Sequence, residues 1–270
     1  MYKTRLRRSH TLGGSSECLK GRGVLVTGGT SGIGLATAVA FAEAGVQRIA
    51  IIGRNAERGA HAAGQIANRG AAVRFIQADA NYPDQARRAG DEALAHLENI
   101  DVLINSTAGL FNPELFHDIP LDDIPQIVTQ QLMAPLLMSS VVLPSMRSRK
   151  SGLIINIASD AAKVATPGES IIGGVMAAIV MFSRTLAMEA KRDGVRVNAL
   201  TPSLVEGTAT AERILASGFS QKLFQRAAKL AHLGVAQPED LAAIAVFLAG
   251  PGGTKITGQA ISVNGGISAA

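Results

Sequence analysis

The sequence contains no tryptophan, only two tyrosines (Tyr2 and Tyr82) and a single cysteine, Cys18. One cysteine excludes an intramolecular disulfide, and the five histidines are scattered singly, so we expect no metal site. No uninterrupted apolar run reaches the length of about 18 residues expected of a membrane helix. The strongest candidate, Ile171–Phe182, is too short and contains two glycines. No signal-peptide pattern opens the chain, so we expect a cytoplasmic protein that does not contact a membrane.

The formal net charge of +5 is confined to the N-terminal segment. Residues 1–22 hold six basic residues against one acidic residue, and the remaining chain carries equal numbers of each. Because the body has no basic excess, the composition argues against a groove that binds nucleic acid. We expect residues 1–20 to form a basic, flexible extension, and a weak targeting or anion-contact role is the alternative for it.

Strand-like and helix-like segments alternate along the rest of the chain, which indicates a parallel sheet covered by helices on both faces. With about half of its residues apolar, the chain can build one large core, and we predict a single Rossmann-like α/β domain over 21–270. Segment 204–233 predicts a helical lid at the strand ends. Strands are expected at Val24–Thr27, Arg48–Ile52, Val73–Gln77, Asp101–Asn105, Leu153–Ala158, Arg196–Leu200 and Gln259–Val263, and helices at Ile33–Glu43, Ala56–Asn68, Pro83–Leu97, Ile124–Met146, Ile171–Lys191 and Pro238–Leu248.

A glycine-rich turn follows the first predicted strand and opens the first predicted helix. It runs Thr27-Gly28-Gly29-Thr30-Ser31-Gly32-Ile33-Gly34. Glycines allow a tight turn that lets the backbone approach a pyrophosphate, and the helix N-terminus offers N–H groups to its charge. The alternative is a turn kept for packing alone, in a protein that binds no nucleotide.

This turn resembles the TGxxxGxG loop of short-chain dehydrogenases/reductases, and ordered matches to that family run from about Lys20 to Ile267. They include Asp101-Val102-Leu103-Ile104-Asn105, Ile155-Asn156-Ile157-Ala158-Ser159 and Arg196-Val197-Asn198-Ala199-Leu200-Thr201-Pro202. The resemblance implies the family's fold and a nicotinamide dinucleotide. It implies nucleotide-binding roles for Gly28, Thr30, Ser31, Gly32, Ile33, Gly34, Asp79, Ala80 and Asn105.

The end of the second predicted strand bears on the choice of dinucleotide. The residues there are Gly53-Arg54-Asn55, without the carboxylate that would bind the ribose hydroxyls of NAD(H). The planar guanidinium of Arg54 is suited to a 2′-phosphate. The sequence therefore favours NADP(H) over NAD(H), and the alternative is that Arg54 is a solvated surface residue.

The family's catalytic groups are a serine, a tyrosine, a lysine and an asparagine. The resemblance places the serine at Ser159, the tyrosine position at Ile172, the lysine position at Met176 and the asparagine position at Gln131. Ile172 and Met176 lie four residues apart on a predicted helix and so share one face. Neither side chain can donate a proton, and general acid–base help is typically worth a factor of about 10²–10⁴.

Other polar residues near Ser159 in sequence provide no clear replacement. Lys163, Glu169 and Asp160 are each more simply explained as loop residues, and Ser159 itself is either useful or a relic. Segments expected on the nicotinamide side also depart from the family pattern. The turn after the fourth strand is one residue longer, at Asn105-Ser106-Thr107-Ala108-Gly109, and Gly207 is inserted before Thr208.

The sequence leaves three functions open. The first is a non-catalytic or accessory subunit of a heteromeric dehydrogenase/reductase, a dimer or tetramer with an intact relative. The second is a divergent NADP(H)-dependent oxidoreductase, or a non-redox lyase or hydrolase. Its substrate would be a hydrophobic carbonyl or hydroxy compound or an acyl thioester. The third is a binding module that senses NADP(H). Members of the family usually assemble through their two long central helices, and a homo-oligomer is the alternative to a heteromer.

Overall fold

The computed structural model describes residues 19–216 and 218–270. Most of the predicted N-terminal extension and Cys18 lie outside the described residues. Seven parallel strands form one sheet in the order β3-β2-β1-β4-β5-β6-β7. They are β1 (Gly23–Thr27), β2 (Arg48–Gly53), β3 (Ala72–Gln77), β4 (Val102–Asn105), β5 (Gly152–Ile157), β6 (Val195–Thr201) and β7 (Ala260–Ser262).

Helices connect the strands, and their bounds lie close to the predicted ones. They are α1 (Gly32–Glu43), α2 (Ala56–Ala67), α3 (Pro83–Leu97), α4 (Ile124–Ser148), α5 (Ser170–Ala190), α6 (Ala209–Ala216), α7 (Gly218–Leu230) and α8 (Pro238–Ala249). The predicted doubly wound α/β fold is confirmed. The segment predicted as a lid contains α6 and α7.

Alternating strand residues build two cores, one on each face of the sheet. Val24 and Val26 of β1 belong to the core under α1, α2 and α8, while Leu25 belongs to the core under α3, α4 and α5. Every residue of β1 is buried, which is why the central strands read as continuous apolar runs rather than as an alternation. The edge strand β3 is mostly exposed or half-buried.

Two helices are long and apolar enough to cross a membrane on length and composition alone. They span Leu121–Ser148 and Ser170–Asp193, with mean hydropathies of 1.4 and 1.8. The apolar run Ile171–Phe182 is part of the second of these helices, and one or two such helices are weak evidence for a membrane span, because a core helix passes the same test. Gly173 lies inside α5 where the helix passes close to the backbone: a Cβ there would lie 3.0 Å from the Ala161 carbonyl oxygen. The buried faces of both helices form part of the sheet's core.

A chain of buried polar side chains crosses the sheet near the carboxyl ends of its strands. The Thr27 hydroxyl donates to Asn105 Oδ1 (3.1 Å), and Asn105 Nδ2 donates to Asn156 Oδ1 (2.8 Å). Asn156 Nδ2 then donates to Ser183 Oγ (2.8 Å), whose hydroxyl donates to the Ile179 carbonyl (2.7 Å). The chain ties β1, β4 and β5 to α5. It also fixes the strand that leads into the glycine turn relative to the helix that carries Ile172 and Met176.

We predict that Asn105→Ala destabilises the fold by about 1–3 kcal/mol, because it leaves buried polar groups of Thr27 and Asn156 without their partner. The free energy of unfolding in urea measures this loss. Asn68→Ala, at the exposed end of α2, is the matched control and should change stability by less than about 0.5 kcal/mol. Equal effects of the two substitutions would show that the buried chain contributes nothing of its own.

Candidate functional site

A cavity of about 560 Å³ lies at the carboxyl ends of the strands, bounded by the segments that follow β1, β2, β4, β5 and β6. The strand order reverses between β1 and β4, and ligands of open α/β sheets bind outside the strand ends at such a switch point. Residues of α6 and α7 also line the cavity. The fold therefore supplies one pocket in which the predicted nucleotide site and the predicted catalytic positions can meet.

The glycine turn forms one end of the cavity, and its geometry explains why these positions are glycine. Gly28 has φ +68°, and a Cβ on it would lie 2.3 Å from the Ser106 carbonyl oxygen. A Cβ on Gly34 would lie 2.3 Å from the Gly28 carbonyl oxygen, so Gly34 packs behind the turn rather than lining the cavity. The Ser31 side chain does not cap α1, so the backbone N–H groups of the first turn of this helix stay available to an anion.

Two arginines that follow β2 and one carboxylate that follows β3 line the cavity. Arg54 Nη1 lies 3.8 Å from Asp79 Oδ2, and both residues line the cavity. Asp79 is oriented by Asn81, whose backbone N–H and Nδ2 both donate to Asp79 Oδ1, at 3.1 and 2.8 Å. Arg58 lines the same end and was missed in the sequence. The feature of the sequence that could have indicated Arg58 is its position in the first turn of the helix that follows β2.

Of the remaining predicted nucleotide-binding residues, Thr30, Ser31, Gly32, Ile33 and Ala80 line the cavity. Asn105 does not. It is 1% exposed, and its side-chain amide bonds to Thr27 and Asn156 in the buried chain. Its place is thus beneath the site. The position predicted from the resemblance supports the site from below, through the strand that precedes the glycine turn.

The four positions predicted from the family's catalytic groups are brought together. Ser159, Gln131, Ile172 and Met176 all line the cavity. The Ser159 hydroxyl oxygen accepts a hydrogen bond from the Ala161 N–H at 3.2 Å. This leaves the hydroxyl proton available for donation into the cavity.

The wall formed by α5 is apolar. Met176 is 7% exposed and packs in a cluster with Ala158, Ile179 and Val180, and Ile172 packs against the same cluster. Among the described residues that line the cavity there is neither a tyrosine nor a lysine. Tyr82 stands at the start of α3 and is 52% exposed.

Lys163 points away from the cavity. Its ammonium donates to Ser262 Oγ on β7, and it is not among the residues that line the cavity. Burial lowers the pKa of Lys163; the Asp160 charge opposes this shift and the Arg184 charge adds to it. Asp160 does line the cavity but is engaged, because its Oδ1 accepts from Ser268 Oγ at 2.7 Å.

Glu169 is the carboxyl group in the cavity whose protonation is most perturbed. It precedes α5 and lies three residues before Ile172 and seven before Met176, so it continues the same helix face. Burial raises the pKa of Glu169 to about 7, a hydrogen bond from Thr166 opposes the shift, and the charge of Asp160 adds to it. The sequence interpretation treated Glu169 as a loop residue, and only its burial distinguishes it.

With this geometry in view, comparison with known proteins decides the family. A family model described as short chain dehydrogenase matches residues 22–249. The chain belongs to the short-chain dehydrogenase family. The fold of this family binds nicotinamide dinucleotides, and the glycine turn with the uncapped start of α1 fits one. In residues 19–216 and 218–270, no group of three His, Cys, Asp or Glu side chains is placed to hold a metal ion.

Individual relatives match over nearly the whole chain. A 3-oxoacyl-[acyl-carrier-protein] reductase of Synechocystis is 34% identical, over 90% of this chain and 95% of its own. A reductase of the same name (FabG) from Chlamydia pneumoniae is 32% identical, over 93% and 98%. The crystal structure of 3-ketoacyl-(acyl-carrier-protein) reductase from Brucella melitensis, complexed with NADH, is 25% identical with a TM-score of 0.82, over 93% of this chain and 100% of that one.

We predict that Glu169→Gln removes a pH dependence of stability. The folded-state pKa of about 7 lies above the ordinary value of 4.5, so the folded state holds the Glu169 proton more tightly. The stabilisation from that proton is complete below about pH 4.5 and is lost as the pH rises to about 7. The melting temperature of the wild type, relative to Glu169→Gln, should therefore fall across this window and stay level above it.

Glu57→Gln on α2, an exposed position, is the control and should track the wild type across the same window. A carboxyl carbon NMR signal of Glu169 that titrates near pH 4.5 instead would contradict the assignment.

Proposed function

We propose that this chain binds NADP(H) but does not carry out the family's hydride transfer by itself, and that it acts as the accessory subunit of a heteromeric reductase. The observation that carries the proposal is the contrast between the two ends of the cavity. The end formed by the glycine turn keeps the features of a nucleotide site, whereas the α5 wall is apolar at Ile172 and Met176. When bound, the reduced dinucleotide supplies a hydride; the chain would have to supply the proton.

The resemblance places the family's tyrosine at Ile172 and its lysine at Met176. Neither of these side chains can donate a proton or hold a charge. Ser159 remains in place as a hydrogen-bond donor, but a serine hydroxyl is a poor acid compared with a matched phenol. Lys163 is occupied with Ser262, and Tyr82 lies outside the cavity lining. Reduction by this chain alone should accordingly be slow.

The preference for NADP(H) rests on Arg54 and Arg58 at the end of β2. A 2′-phosphate placed between them would meet two permanently charged groups, and Asp79 would hold Arg54 in position from 3.8 Å. Gly28, Thr30, Ser31, Gly32 and Ile33 would surround the pyrophosphate. Asp79 and Ala80 would face the adenine.

The accessory role is supported by the outer surface of the central helices. Met181 and Met188 on α5 are 58% and 62% exposed, and the resemblance implies assembly through α4 and α5. An intact relative paired there would supply the tyrosine and lysine that this chain lacks. Because relatives bear the name 3-oxoacyl-[acyl-carrier-protein] reductase, an acyl thioester is the substrate class we propose for the complex.

A divergent enzyme is the second candidate, and the position of Glu169 favours it. A carboxyl whose pKa lies near 7 can exchange a proton at neutral pH, and it shares the cavity with Ser159. Turnover by the pure chain that is abolished by Ser159→Ala or Glu169→Gln would support this candidate against the accessory role.

We predict that Arg54→Gln weakens NADPH binding by about tenfold and leaves NADH binding within about twofold, because only NADPH carries the 2′-phosphate. Fluorescence titration of the pure protein with each nucleotide measures both affinities, and the absence of tryptophan simplifies the signal. Arg87→Gln, an exposed arginine on α3 outside the cavity, is the control and should change neither. Equal losses for NADPH and NADH would refute the assignment of Arg54 to the phosphate.

We also predict that the pure chain reduces a 3-oxoacyl thioester at least about a hundredfold more slowly with NADPH than an intact family member does. Mixed with an intact relative from the same organism, it should co-purify as a heteromer and raise that relative's rate. The double substitution Ile172→Tyr and Met176→Lys tests the cause of this slow reduction. We expect the doubly substituted chain to reduce the thioester faster than the wild-type chain does. Full activity of the pure wild-type chain would end the accessory proposal.

A further inference from the structure

Among the mostly apolar residues of α6 that line the cavity stands one arginine whose charge has no carboxylate partner in the part of the chain that the structure describes. Arg213 of α6 lines the cavity, and its Nε donates to Asn112 Oδ1 at 2.9 Å while Nη2 donates to the Gly109 carbonyl at 3.2 Å. Both acceptors are neutral, and no ion pair with a carboxylate involves Arg213 anywhere in residues 19–216 and 218–270. Burial lowers the pKa of Arg213, so its charge is held at a desolvation cost.

Gln131 supplies a second donor near Arg213. It is 6% exposed and lines the cavity, and its amide makes no hydrogen bond with any described residue. Gly109 lies beside both groups: its carbonyl accepts from Arg213, and a Cβ on it would lie 3.0 Å from Gln131 Nε2. Two further buried oxygens nearby, Thr107 Oγ1 and Gln130 Oε1, also lack a partner. The Gln131 amide stays accessible from the cavity, so a ligand or water there can bond to it.

Arg213 and Gln131 together with the α5 wall select an amphipathic ligand. On one side stand the Arg213 guanidinium, which uses two of its five N–H donors, and the Gln131 amide. On the other side stand Ile172 and Met176 with the apolar cluster behind them. Arg54 and Arg58 belong to the other end of the cavity, after β2. The Arg213 charge is therefore separate from the charges that face the proposed 2′-phosphate.

We propose that Arg213 and Gln131 form a carboxylate-binding subsite, and that the chain binds an organic acid whose apolar body packs on the α5 wall. The planar guanidinium matches the two oxygens of a carboxylate, and the free amide N–H of Gln131 adds a third donor. The two hydrogen bonds from Arg213 to Asn112 and Gly109 leave its positive charge without a counter-ion, and a carboxylate in the cavity would supply one. The subsite does not depend on nucleotide binding.

Calorimetry with decanoate tests the proposal, with decanamide as the uncharged probe of equal length. The wild type should bind decanoate saturably at about pH 6, below the pKa of about 7 at which Glu169 becomes charged. Arg213→Gln should weaken decanoate binding by about tenfold or more and leave the affinity for decanamide within about twofold of the wild type. Arg213→Lys keeps the charge without the planar fork, so its affinity for decanoate should lie between those of the wild type and Arg213→Gln. Gln131→Leu should weaken decanoate binding by a few fold.

Two control variants separate this role from others. Asn112→Ala removes one acceptor of Arg213 but keeps its charge; a loss as large as that of Arg213→Gln would show that Arg213 only links α6 to the loop after β4. Arg226→Gln, an exposed cation of α7 at the same cavity, should have a small effect, and an equal effect would show only a general positive potential. No saturable binding of decanoate to the wild type would overturn the proposal outright.

A nucleotide phosphate is the other source of an anion, and a parallel titration with NADPH distinguishes it. Arg213→Gln should leave NADPH affinity within about twofold. A tenfold loss of NADPH affinity with unchanged decanoate affinity would assign Arg213 to the nucleotide and reject the carboxylate subsite. If NADPH does not bind the wild type at all, the nucleotide proposal fails while the decanoate result still decides this one.

Discussion

The buried hydrogen-bond chain from Thr27 through Asn105 and Asn156 to Ser183 is the constraint on which the site depends. It lies where β1, β4 and β5 end, and it runs on into α5. Each buried amide in it would raise the free energy of the folded state if it lost its partner. The hydrogen-bond chain therefore holds three strands and one helix in a single register. The glycine turn begins immediately after Thr27. Ile172 and Met176, which form the α5 wall of the cavity, precede Ser183 on the same helix. The two ends of the cavity thus have a fixed separation.

This scaffold carries two ends with different chemistry. At one end, close approach of the backbone requires glycine at positions 28 and 34, and the uncapped first turn of α1 suits an anion. At the other end, Ile172 and Met176 merge with the hydrophobic cluster around Ile179. A site can lose its acid while keeping its fold because an apolar side chain is readily accommodated on a helix face next to a core. Nucleotide binding without the family's acid would be the physical basis for the proposed accessory role.

Several site features were predictable from the residue pattern, and others were not. The glycine turn and Arg54 could be placed because each is fixed by local sequence. The resemblance to the family placed Ile172 and Met176, and their helical spacing puts them on one face. The resemblance implies that Asn105 binds the nucleotide, yet its side chain is hydrogen-bonded to Thr27 and Asn156, which are far from it in sequence. Lys163 turned towards β7 for the same kind of reason: its partner, Ser262, is supplied by a strand 99 residues away.

By itself, the sequence determined the alternation of strands and helices, the continuous burial of the central strands and the absence of a tyrosine or lysine at two positions of one helix face. These follow from periodicity and residue chemistry, which are local. Only the tertiary structure decided that burial moves the pKa of Glu169 to about 7, and that Arg213 lies over Gly109 with Gln131 beside it. Burial and the pairing of distant groups depend on how elements pack, and no stretch of sequence encodes them alone.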